Sequence, residues 1–116
     1  MKIKKFIKKY PDGTKIDVLG TTYSLVYRKI KGNDLGRCDW WAKEIIIDLS
    51  WFKKAQKKGK GNLNRLLKTL RYECISAFFY ELGNLESARD DRLLDELSVK
   101  TFQFMELLKP FMEKKN

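Results

Sequence analysis

The residues with most chemical potential lie in LRYECISAFFYELGNL, positions 70–85, where Tyr72-Glu73-Cys74-Ile75-Ser76 keeps the frame of H-E-x-x-H. In that frame positions i and i+4 share one helix face, so two imidazoles converge on one zinc ion. The adjacent glutamate takes a proton from the metal-bound water, whose pKa the ion has lowered. Here Glu73 is in place, but Tyr72 and Ser76 fill both histidine positions, and the chain contains no histidine. A serine hydroxyl and a neutral tyrosine are poor zinc ligands. No metal, no cofactor and no catalytic residue are therefore expected from this frame. Cys74 lacks the neighbouring base a cysteine nucleophile needs. Cys38 and Cys74 fit no metal or redox spacing and read as buried thiols.

A second candidate is the basic, aromatic-flanked stretch WFKKAQKKGKG, with Trp51, Phe52, Lys53, Lys54, Lys57, Lys58 and Lys60. Lysines at 53, 54, 57 and 58 share one face of a helix and would suit phosphate backbones or an acidic protein face. The chain carries 25 Lys+Arg against 15 Asp+Glu, a net charge of +10. Lys53 to Arg71 contains no acid, whereas Glu73 to Glu96 is predominantly acidic, which predicts a polarised surface. Trp40 and Trp41 are adjacent in an expected strand, so one should face the core and the other could anchor a partner.

The elements that must position these residues follow from the patterning. With 116 residues the chain is expected to form a single domain, 1–116. Residues 1–14 are a basic N-terminal segment with no apolar stretch behind the charge, so neither export nor a membrane span is expected, and the location is cytoplasmic. YPDGTK is a turn signal. Residues 15–50 are rich in β-branched and aromatic types and predict about three antiparallel strands, with Gly20 as a bulge or break and WAKE (41–44) as a hairpin turn.

Ser50 is a candidate N-cap for a short basic helix that, with its loop, covers 51–61. The helical part spans 62–116. Its first long helix carries a stripe from Leu63 through Leu66, Leu70, Cys74 and Phe78, and ends at Gly83-Asn84. The next carries Leu93, Leu94, Leu97, Thr101, Phe104, Met105 and Leu108, and Pro110 limits it. The fold class is α+β: about three antiparallel strands, then two long helices and one short one.

Four phrases in order, DVLGTTYSLVY, GRCDWWAKEIIID, LRYECISAFFYELGNL and RDDRLLDELS, resemble the small phage- and prophage-encoded zinc peptidases of the ImmA/IrrE-like type, which are related to SprT-like minimal zincins. The resemblance covers roughly residues 16 to 108 and implies a minimal-zincin-like fold. By position it places the family's zinc histidines on Tyr72 and Ser76, its catalytic glutamate on Glu73 and its later acidic ligand near Asp91. Since the ligand types are gone, these are vestigial positions. The leading expectation is a non-catalytic phage-type protein that inhibits a host protein or ribonucleoprotein of the bacterial host, for example a defence nuclease in the manner of anti-CRISPR proteins. The alternative is a nucleic-acid-binding accessory protein using the basic stretch. A residual metallopeptidase ranks last.

Overall fold

Residues 2–57 and 63–112 are described by this computed structural model, the side chains of 55–57 excepted. Ile3, Phe6, Ile7 and Tyr10 recur at helical spacing. Accordingly Ile3–Lys9 forms helix α1, with Ile3 and Phe6 in the core and its lysines exposed. The basic N-terminal segment is thus an amphipathic helix docked on the body of the protein.

Strands β1 (Lys15–Val18) and β2 (Thr21–Tyr27) form an antiparallel hairpin. Leu19 and Gly20 close it with φ of 52° and 88°, the type I′ signature that matches strand twist. Gly20 is therefore the break between two strands, and its N–H donates to Asp17 Oδ1 at 2.8 Å. Strands β3 (Gly36–Asp39) and β4 (Glu44–Ile47) form the second hairpin.

The sheet order is β1-β2-β4-β3, and β2 pairs with β4 in parallel. The expected sheet of about three antiparallel strands is corrected to a four-stranded mixed sheet. The reason lies in Ile45-Ile46-Ile47: a continuous apolar run needs cover on both faces. A central place next to β2 supplies it, and all three isoleucines are buried. The intervening loop carries β3 to the edge. It is pinned by the Ile30 N–H donating to Asp48 Oδ2 (3.0 Å) and the Asp48 N–H donating to the Leu35 carbonyl (2.9 Å).

Asp48 also displaces Ser50 as the cap of α2 (Leu49–Lys57), accepting from the Ser50 N–H at 3.0 Å and the Ser50 hydroxyl at 2.5 Å. Helix α3 (Leu63–Glu81) crosses the sheet, with Leu66 and Ala77 in one cluster with Tyr23, Leu25, Ile45 and Phe52. It ends in a Schellman motif: Asn84 N–H donates to Phe79 O and Gly83 N–H to Tyr80 O, with Gly83 at φ 80°.

Asn84 caps the short α4 (Leu85–Ala88), and Asp90 caps α5 (Asp91–Leu108), which runs into a 3₁₀ turn at Lys109–Phe111. The stripes predicted as core are only partly so. Leu94 is buried, but Phe78, Phe104 and Met105 are exposed, because no described element packs on those positions. The result is a compact α+β arrangement with more short helices than expected. No helix among the described residues is long and apolar enough to cross a membrane.

Candidate functional site

A cleft of about 540 Å³ opens between β3 with its preceding loop, the middle of α3 and the start of α5. Tyr72, Glu73, Ser76 and Asp91, the four positions singled out in the sequence, all line it, and so does Trp40. Spacing explains the first three, since 72, 73 and 76 share one side of a helix. Gly36 lets that side approach the sheet. A Cβ there would stand 2.7 Å from Thr69 Cγ2 and 3.0 Å from Glu73 Oε2.

Tyr72 and Ser76, which stand where H-E-x-x-H has its histidines, are engaged in structural bonds. The Tyr72 hydroxyl donates to Asp91 Oδ1 at 2.5 Å, tying α3 to the start of α5. The Ser76 hydroxyl donates to the Ala88 carbonyl at 2.9 Å and accepts from the Trp40 indole N–H at 3.3 Å. Burial, followed by the Asp91 contact, raises the Tyr72 phenol above its ordinary range. Among the described residues no three His, Cys, Asp or Glu side chains converge to hold a metal ion. The donor types and the engaged bonds of Tyr72, Ser76 and Asp91 thus do not fit a zinc site.

Glu73 is only 8% exposed, and no hydrogen bond reaches its carboxyl among the described residues. Burial pushes its pKa up to about 7; the charges of Asp34 and Asp91 add to this, and Arg37 offsets part of it. The cysteines, far apart in sequence, lie near enough in space for Cys74 to add to the upward shift of Cys38. Burial, then the Glu73 charge, raises Cys38 to about 12 and Cys74 to about 11. Both are neutral thiols at pH 7 and poor nucleophiles. A carboxyl titrating near neutrality has the strength for general acid–base work. The two hydroxyls of the frame, Tyr72 and Ser76, donate their protons away from Glu73.

Of the other sequence candidates, Trp40 lines the cleft, and Trp41, Trp51, Lys53 and Lys54 do not. Trp40 and Trp41 sit in the turn after β3, not within a strand, because the Asp39 carboxylate accepts the N–H groups of Trp41 (3.0 Å) and Ala42 (2.9 Å) and bends the chain. Trp40 stacks on Tyr80 with centroids 4.9 Å apart, whereas Trp41 is 91% exposed. Trp51 packs edge-on against buried Phe52 and lies under the Arg65 guanidinium, 4.9 Å from its ring centroid. Lys53 and Lys54 are exposed on α2. Lys58 and Lys60 fall outside the described residues, as does the side chain of Lys57.

Three features had not been expected from the sequence. Asp34 and Arg37 join the cleft from the loop and strand opposite α3. Glu81 gathers Thr21, Tyr23 and Lys43 around its carboxylate. The end of α5 and its 3₁₀ turn expose Phe102, Phe104, Met105, Leu107, Phe111 and Met112. Comparison with protein-family profiles, with curated proteins and with solved structures found no match.

Proposed function

We propose that this chain is a non-catalytic binding protein, on a degenerate zinc-peptidase scaffold of the ImmA/IrrE-like, minimal-zincin type, that inhibits a host protein or ribonucleoprotein by direct contact with protein. The observation that carries the reading is the apolar end of α5. The six large apolar side chains there are each more than half exposed. Exposed apolar surface concentrated at one end of a small protein is the ordinary mark of an interaction site.

Phe104, Leu107 and Phe111 follow the i, i+3, i+7 spacing of a helix seated in an apolar groove. The net charge of +10 favours a partner whose groove has an acidic rim. The engaged bonds of Tyr72 and Ser76 support the non-catalytic part of the reading. Exposed Lys53 and Lys54 favour the second reading, nucleic-acid binding.

The test is a pull-down from bacterial lysate, with and without nuclease, using wild type and the Phe104→Asp/Leu107→Asp/Phe111→Asp variant. Protein retained after nuclease by wild type and lost by the folded variant supports the reading. Recovery of nucleic acid alone, or equal recovery by the variant, overturns it. About one chelator-removable zinc per purified chain, with a function lost on its removal, would overturn the non-catalytic part.

A further inference from the structure

The cleft over Glu73 concentrates acidic groups in a basic molecule. Across the whole chain cations exceed anions by ten, yet Asp34, Glu73, Asp91 and Asp95 line this one opening beside Arg37, Arg65 and Lys68. Of the cations on its walls, Lys68 is paired with Asp95 at 2.9 Å, and Arg65 stacks on Trp51. Arg37 is exposed on the edge strand and makes no ion pair with Glu73 within 4 Å among the described residues.

Glu73 is the second, independent observation. More than nine-tenths of the residue is buried, its carboxyl accepts no hydrogen bond among the described residues, and its oxygens keep contact with the open volume of the cleft. Buried carboxyls ordinarily find donors. This one faces the open side of the cleft, and the group that would complete it is a cation with N–H donors.

We propose that the cleft is a binding site for a monovalent organic cation, a guanidinium or primary ammonium group, whose N–H donors seat on the Glu73 carboxylate. Asp34 and Asp91 flank it with negative charge. A planar guanidinium matches the two oxygens of one carboxylate. Trp40, backed by Tyr80 and lining the same cleft, offers an aromatic wall beside the cation. The same chemistry is carried by a free small molecule and by an arginine or lysine side chain of another protein. The inference is independent of whether the α5 end engages a partner.

The titratable and charged groups around Glu73 are Asp34 from the loop, Arg37 and Cys38 from β3, Arg65, Lys68, Tyr72 and Cys74 from α3, and Asp91 and Asp95 from α5. Of these, Glu73 is the one whose ionisation is displaced towards neutrality. Binding of a cation should therefore strengthen about tenfold from pH 6 to pH 8 as the carboxyl loses its proton.

The experiment is a two-dimensional NMR titration of the full chain with methylguanidinium chloride, at constant ionic strength against sodium chloride. The Trp40 indole N–H is expected to shift saturably while those of Trp41 and Trp51 stay put, with tighter binding at pH 8. The near-isosteric Glu73→Gln should lose the response, and Arg37→Ala, which removes a competing cation, should tighten it. A capped Gly-Arg-Gly peptide separates the sources: binding at least as tight as methylguanidinium points to a protein side chain, and exclusion of the peptide points to a free small molecule. A Trp40 response no larger than with sodium chloride, or one that Glu73→Gln leaves unchanged, overturns the proposal.

Discussion

Glu73 and Glu81 lie on the same helix about two turns apart, and both are largely withdrawn from water, yet they are held in opposite ways. Glu81 accepts from Thr21 at 2.9 Å, Tyr23 at 2.7 Å and Lys43 at 2.8 Å. The Lys43 and Tyr23 contacts hold its pKa down at about 2. Glu73 has no such donors among the described residues, and burial pushes it up to about 7. Burial alone therefore does not fix a carboxyl's state; the donors within reach do. One end of α3 is a structural joint that ties the helix to the β1–β2 hairpin and to the turn before β4. Its middle keeps a carboxyl that the fold itself does not use.

The largest effect is expected at the joint. Glu81→Ala would strand the Tyr23 hydroxyl, whose residue is fully buried, and leave the Lys43 ammonium between two aromatic rings without its anion. A loss of about 3–4 kcal/mol in denaturant unfolding is expected. Acid should reveal the same joint. Between about 4.5 and 2 the unfolded chain binds a proton that folded Glu81 refuses. Its stabilisation is thus complete above that window and is lost as pH falls through it. Glu81→Ala should lack this acid-dependent component.

Glu73 should behave in the reverse sense. Between about 4.5 and 7 the folded chain keeps a proton that the unfolded chain has released, so wild-type stability falls as pH rises through that window. Glu73→Gln removes the loss. It should be more stable than wild type at pH 8 by about 1–3 kcal/mol, with the gap closing near pH 4, in parallel melts across pH.

Smaller again is Gly36→Ala, whose new methyl group must move Thr69 or Glu73 aside; about 1–2 kcal/mol should be lost, with the Trp40 indole resonance displaced. Smallest is Lys53→Ala/Lys54→Ala, where stability should change by less than about 0.5 kcal/mol because exposed charges contribute little. If these lysines neutralise phosphates, the log–log salt slope of nucleic-acid binding should shrink by about 0.7–0.9 for every lysine–phosphate pair removed.

What the sequence made legible was local. The 72–76 frame, the turn at Pro11-Asp12-Gly13, the end of α3 at Gly83 and the α+β order all follow from nearest-neighbour chemistry. Helix α1 was legible too: Ile3, Phe6, Ile7 and Tyr10 carry its period, but the density of lysine draws attention away from them. The parallel β2–β4 pairing was not legible, because Asp48 and the 28–35 loop decide it, and neither carries a periodic mark. Nor was the approach of Asp34 and Arg37 to Glu73, which depends on Gly36 admitting the helix. Periodicity also reads a buried stripe and an uncovered one alike, so Phe104 and Met105 were placed in the core when they face solvent.

Carbon-13 NMR titration of the glutamate side-chain carboxyls, assigned through Glu73→Gln and Glu81→Gln, compares the two sites without disturbing the fold. Glu73 should titrate near pH 7 and Glu81 near pH 2, with the Glu73 midpoint moving down when methylguanidinium is added. A Glu73 midpoint at an ordinary carboxylate value near 4.5, indifferent to the cation, would contradict the proposed cation site at Glu73.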